Sequence, residues 1–184
     1  MPYNKPRSLA VSRNSSRKKN GMIRKKQLEI YKMMAKKYFR LLKWLYELKD
    51  KDIEKGLQEG KGKFLSNLYL SRFRNKCTAC EYITPKAQKL YENKGNVKGL
   101  VFEHIVPKKK YIQGVCEEQA RQGTLQEGNI EELLRKYFHC ALVTSEEDAR
   151  LLKNKMPTDW DGKDIFARYK KAGIKWNSNP FYGE

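Results

Sequence analysis

The chain has no run of about 18 apolar residues, the length that a transmembrane helix needs, so no membrane span is expected. Its basic beginning is not followed by an apolar stretch of the kind a secretory signal carries, and a cytoplasmic location is expected. Histidine is scarce: His104 and His139 are the only two in 184 residues. Cysteine is confined to Cys77, Cys80, Cys116 and Cys140. Without a secretion signal, disulfides are disfavoured, and free thiols or metal ligands are favoured. No internal repeat is present. Acids are in deficit, with 21 Asp+Glu against 40 Lys+Arg and a formal charge of +19. Such an excess points to a polyanionic partner, nucleic acid ahead of an anionic membrane surface. A solubilising surface, or a ribosome-associated protein with no chemistry of its own, would account for the charge alone.

The length suits one domain with a real core, or a small domain with a helical appendage. Residues 1–26 hold nine Lys or Arg and no acid, with Ser, Asn and Pro among them. This composition predicts a disordered basic arm that either tracks phosphates or is a solvated tail. Leu28, Tyr31, Met34, Tyr38, Leu41, Leu45 and Leu48 recur at spacings of three and four and predict one amphipathic helix over 27–50. The polar stretch 50–63 contains Gly56, Gly60 and Gly62 and reads as a connection with room for a short helix. Phe64, Leu65, Leu68, Tyr69 and Phe73 predict a second helix. It runs into the basic string Arg72, Arg74 and Lys76, so 27–76 is expected to be a helical region that contacts DNA.

Cys77 and Cys80 form a Cys-x-x-Cys pair, a spacing that aims two thiolates at one tetrahedral zinc ion. No second such pair exists. Cys116, Cys140 and His139 are the remaining candidates to complete a site, and two small buried residues at a helix end are the alternative.

The most informative stretch is Leu100-Val-Phe-Glu-His-Ile-Val-Pro107. Its apolar β-formers predict a strand, and Pro107 ends or turns it. Glu103 and His104 are adjacent, so they face opposite sides of a strand unless the strand is ending there. Lys108, Lys109 and Lys110 follow and are expected to meet phosphate or to form a solvated loop. Residues 115–138 predict two helices broken around Gly123 to Gly128. Cys140 to Val143 predicts a second strand. Thr144 or Ser145 then caps a helix, with Glu147 or Asp148 completing a capping box. A basic helix is predicted over 165–172, stopped by Gly173, and the aromatic tail is expected to lie on the core.

The acid-His-Ile-x-Pro string, followed by a strand and the capped helix Leu-Val-Thr-Ser-Glu-Glu-Asp-Ala-Arg-Leu, resembles the HNH (His-metal finger) endonucleases over residues 77–156. The resemblance implies an α+β fold with a ββα-metal nuclease core and an insertion in its hairpin. N-terminal helices would precede this core, and a helical tail would follow over 157–184. The family usually has His or Asn where Asp148 stands, and its middle Asn has no obvious counterpart; His139 or Asn129 could stand in that region. The second Cys-x-x-Cys often found beside the family's helix is missing. Restriction or phage-type activity is implied, with 5′-phosphate and 3′-hydroxyl products. A double-strand cut would need a homodimer or a partner nuclease subunit.

The chemistry can also be argued from residue types. Phosphodiester hydrolysis needs a base for water and a cation for the charge on phosphate and leaving oxygen. His104 is the candidate base, and Glu103 and Asp148 are candidate ligands for Mg²⁺ or another divalent ion. Glu146 and Glu147 are fallback ligands, and His139 is a further catalytic candidate. Each has a plainer reading: His104 and His139 as buried structural histidines, Asp148 as charge balancing a helix dipole. The rival class is a non-catalytic nucleic-acid-binding protein with a zinc knuckle at Cys77 and Cys80.

Overall fold

The structure is a computed structural model that describes residues 9–94 and 97–183, with side chains from Lys25 onward, Lys94 excepted. The chain runs α1 (Leu9–Glu47), α2 (Lys51–Gly56), α3 (Gln58–Leu70), β1 (Tyr82–Ile83) and α4 (Pro85–Lys94). It continues with β2 (Leu100–His104), a π-helical turn (Lys109–Gln113), α5 (Gly114–Arg121) and α6 (Glu127–Tyr137). β3 (Cys140–Thr144), α7 (Ser145–Arg150), α8 (Ala167–Lys171) and β4 (Asn177–Ser178) complete it. The fold is mixed α and β, as expected.

The first helix departs from expectation at its start. The disordered arm predicted over 1–26 falls outside the described residues as far as residue 8, but from Leu9 onward the backbone is helical. Lys and Arg are nearly as good helix formers as Leu and Met, and no proline interrupts residues 7–84. High charge therefore does not exclude a helix here. Along the same helix the predicted stripe is largely observed: Tyr31, Met34, Tyr38 and Leu45 are buried, whereas Leu28 and Leu48 stay exposed. The stretch read as a connection, 50–63, is mostly helical, with Asp50 capping α2 by accepting from the backbone of Asp52 and Ile53.

The sheet has the order β2-β3-β1-β4. β2 and β3 are antiparallel in a register that pairs Glu103 with Ala141 and His104 with Cys140. β1 lies parallel to β3, and β4 antiparallel to β1. These last two strands have two residues each, too short to leave a period-two signature.

Strand alternation divides the core in two. Leu100, Phe102, Cys140 and Leu142 face a large cluster with Tyr31, Met34, Tyr69, Ile130 and Phe138 from the helical layer. Val101, Ile105, Ala141 and Val143 face a smaller cluster with Leu151, Tyr169, Ile174 and Trp176. The C-terminal segment is thus a second layer over the back of the sheet. Among the described residues no helix is long and apolar enough to cross a membrane.

Candidate active site

Residues β2, β3 and α7 form a continuous hairpin-and-helix unit, with residues 105–139 as an insertion between the strands. The junction of β3 and α7 is fixed by a capping box. Thr144 Oγ1 accepts from the Glu147 backbone N–H at 3.2 Å, and Glu147 Oε2 accepts from the Thr144 backbone N–H at 3.0 Å. The hydroxyl of Thr84 also donates to Glu147 Oε2, at 2.6 Å. Glu147 is buried, and its Oε2 is occupied as a cap. Glu146 points to solvent on the same turn.

The Glu103-His104 pair separates across the sheet. β2 stays regular through His104, so the two side chains take opposite faces. Glu103 turns to the C-terminal layer, where its Oε1 accepts from Arg168. Arg168, 1% exposed, also donates to the carbonyls of His104, Ile105 and Leu152. Sequence reasoning passed over Arg168 as one basic residue of a basic helix. Nothing in local sequence marks a lysine- or arginine-rich helix as carrying one buried member.

Asp148 lies on the Glu103 side. Its charge reaches Glu103, whose carboxyl is held above the usual range by burial, against the lowering pull of Arg168. Asp148 Oδ2 pairs with Lys153 Nζ at 2.7 Å. The Tyr169 hydroxyl is buried without a hydrogen-bond partner among the described residues; burial first, then the Glu103 charge, raises its pKa.

His104 turns to the helical layer. Its ring meets Phe102 and Phe138 edge-on at centroid distances of 5.2 and 5.1 Å. Its Nε2 is 3.3 Å from Ser66 Oγ on α3. Burial first, then the charges of Lys108 and Arg168, pull the imidazole down to about 3. It is neutral at every ordinary pH, and it is a weak base until an anion is placed beside it.

His139 is part of a different cluster. Its Nδ1 is 3.3 Å from Glu81 Oε1 and its Nε2 is 3.2 Å from the Arg135 carbonyl. Glu81 Oε2 accepts from the Cys140 backbone N–H at 2.7 Å, and Tyr31 also reaches Glu81. Although desolvation opposes it, the Glu81 carboxylate raises the His139 pKa. The arrangement ties α1 and α6 to the sheet and engages both ring nitrogens of His139. Asn129 lies in the first turn of α6.

The four cysteines are free and buried. Cys80 donates its thiol to the Lys76 carbonyl at 3.3 Å, and burial raises all four thiols, Cys116 to about 12. Among the described residues no group of three or more His, Cys, Asp or Glu converges on a point where a metal ion could sit. The four-cysteine zinc set is therefore not assembled. For a catalytic divalent ion the fit is different in kind. Glu103 and Asp148 are hard oxygen donors, and Mg²⁺ commonly takes one or two carboxylates and fills its shell with water and phosphate. The pair is compatible with that mode and forms no closed cage.

Of the basic candidates, Arg72 and Arg74 are exposed, as are Lys109 and Lys110. Lys76 instead donates to the Leu100 carbonyl. Lys108 donates to the Gly62 carbonyl at 2.6 Å and to Gln113 Oε1 at 3.3 Å.

No protein-family model, curated protein or solved structure matches the chain.

Proposed function

We propose that the chain is a metal-dependent DNA endonuclease built on a ββα nuclease core. The observation that supports this reading is the β2-β3-α7 hairpin-and-helix unit, which carries Glu103 and Asp148; burial first, and to a smaller degree the Asp148 charge, raise the Glu103 carboxyl against the pull of Arg168. Glu103 and Asp148 would hold a divalent ion such as Mg²⁺. When bound, that ion supplies charge neutralisation at the scissile phosphate and leaving oxygen. Arg168 fixes the Glu103 carboxylate and the end of β2. His104 is the proposed base for water, but its ring lies on the opposite face of β2 from Glu103, against Phe102, Phe138 and Ser66, so its role is tested separately from that of the carboxylates. The +19 charge favours a nucleic-acid substrate.

The test is incubation of supercoiled plasmid with the protein and Mg²⁺, beside EDTA, Asp148→Ala and His104→Gln controls. Nicked or linear DNA from the wild type alone is the expected result. An intact plasmid with both Mg²⁺ and Mn²⁺ would sink the reading.

One observation favours the rival, a non-catalytic nucleic-acid-binding protein. The His104 ring faces away from Glu103 and Asp148 and lies between two phenyl rings. That reading expects salt-sensitive DNA binding with no cleavage under any metal.

A further inference from the structure

A cleft of about 740 Å³ opens between the α2–α3 segment and the π-helical turn after Pro107. Its wall carries Lys55, Lys61, Lys63, Lys108 and Lys109 against Glu59 and Glu117, five cations to two anions. Two of the lysines are spoken for internally. Lys61 is buried and paired with Glu117 at 3.0 Å, and Lys108 holds the Gly62 carbonyl at 2.6 Å. Lys55, Lys63 and Lys109 stay exposed. The Lys63 pair with Glu59 is between two solvent-facing groups, and such pairs yield readily to a stronger anion.

Gly56 and Gly62 line the same cleft. Both are helical, neither needs a positive φ, and a Cβ added at either would meet no atom of the protein within 4 Å. Glycine weakens a helix, and here no turn or internal contact calls for it. Open space over a helical backbone beside three exposed cations is what close approach of a sugar-phosphate strand requires.

Two residues relate the cleft wall to His104. Lys108, four residues after His104, lines the cleft and donates to the Gly62 carbonyl. Ser66, one turn beyond Gly62 on α3, meets the ring at 3.3 Å. From these features we infer that this cleft is the track for a DNA phosphodiester backbone, with Lys55, Lys63 and Lys109 as its phosphate contacts and Gly56 and Gly62 as its close-approach wall. This extends the nuclease reading and rests on it for the meaning of His104, but binding along the cleft can be measured without cleavage.

The experiment is fluorescence anisotropy of a labelled 20-base-pair duplex in EDTA, at several salt concentrations. It compares the wild type with Gly56→Leu/Gly62→Leu, which fills the cleft without changing charge, and with Lys63→Gln/Lys109→Gln. The leucine variant is expected to bind at least fivefold more weakly with an unchanged melting temperature. The glutamine variant is expected to lower the slope of log affinity against log salt by about 2, near 0.9 per lost phosphate contact. Affinity of the leucine variant within fivefold of wild type, or an unchanged salt slope, overturns the inference. So does a wild type that does not bind the duplex. Should the leucines lower the melting temperature, the lysine arm decides alone. Binding that behaves as expected in a protein that never cuts would keep the cleft and remove the nuclease reading.

Discussion

Arg168 and Glu103 form an ion pair that joins the C-terminal layer to the end of β2, with the Arg168 side chain 1% and the Glu103 side chain 21% exposed. The same guanidinium satisfies the backbone carbonyls of His104, Ile105 and Leu152. Removing it strands a carboxylate and those acceptors together. Arg168→Leu should lower stability by about 3–5 kcal/mol, the usual cost of breaking a buried pair from one side. Arg168→Lys keeps the charge but not the fork of donors, and it should fall between. Urea denaturation checks both, and a loss under about 1 kcal/mol for Arg168→Leu would mean that the clamp is dispensable.

The two histidines should act on stability with opposite signs. His104 is depressed from 6.5 to about 3 on folding, so the unfolded chain takes up a proton that the folded chain refuses. Its contribution is complete above 6.5 and is lost as pH falls, by about 2 kcal/mol at pH 5 relative to pH 7. His139 is raised above 6.5 by Glu81. Its contribution is complete below 6.5 and is lost as pH rises through the folded value. Proton NMR of the two imidazoles should show His104 flat from pH 8 to pH 5 and His139 titrating above 6.5. A His104 that titrates near 6.5 would contradict its burial among Phe102, Phe138 and Ser66.

Glu147 offers a test of the strand-to-helix junction. Its carboxylate accepts from Thr84, from the Thr144 backbone and from the Thr144 hydroxyl. Glu147→Ala should cost about 2–3 kcal/mol, because it removes a cap and leaves buried donors unpaired. Glu146→Ala, one residue earlier and exposed, should stay within about 0.5 kcal/mol. Parallel thermal melts distinguish the two, and equal losses would show that the capping box carries no special weight.

These residues also show how far the sequence could be read. Thr144 and Glu147 were legible because a capping box is a local pattern with a fixed spacing. The strands at Leu100 and Cys140 were legible from runs of β-formers, and their hairpin from the order of elements. β1 and β4 were not: two residues leave no periodicity, and what makes them strands is pairing to β3 and to each other. The start of α1 was obscured because lysine and arginine serve both helices and disordered arms. At the candidate site, strand alternation already foretold that Glu103 and His104 diverge unless the strand ends, and β2 does not end before His104. The partners that matter most, Arg168 for Glu103 and Ser66 for His104, are 65 and 38 residues away. Only the tertiary fold brings such pairs together.

Asp148 separates catalysis from stability. Its ion pair with Lys153 has a lysine side chain 60% exposed, and pairs of this kind contribute about 1 kcal/mol or less. Asp148→Ala should therefore melt close to the wild type. If Asp148 is a ligand for the divalent ion, the same change should reduce plasmid cleavage about 100-fold or more, equivalent to roughly 3 kcal/mol of lost transition-state stabilisation. Asp148→Asn keeps an oxygen donor that a hard cation accepts, and it should retain part of the activity with a higher Mg²⁺ requirement. Lys153→Ala removes the competing cation without touching the carboxylate, so it should leave cleavage intact or ease the Mg²⁺ requirement. Metal titrations of the cleavage rate across the three variants give the answer. A cutting enzyme whose Mg²⁺ dependence is the same in all of them would remove Asp148 from the site and leave Glu103 without its partner.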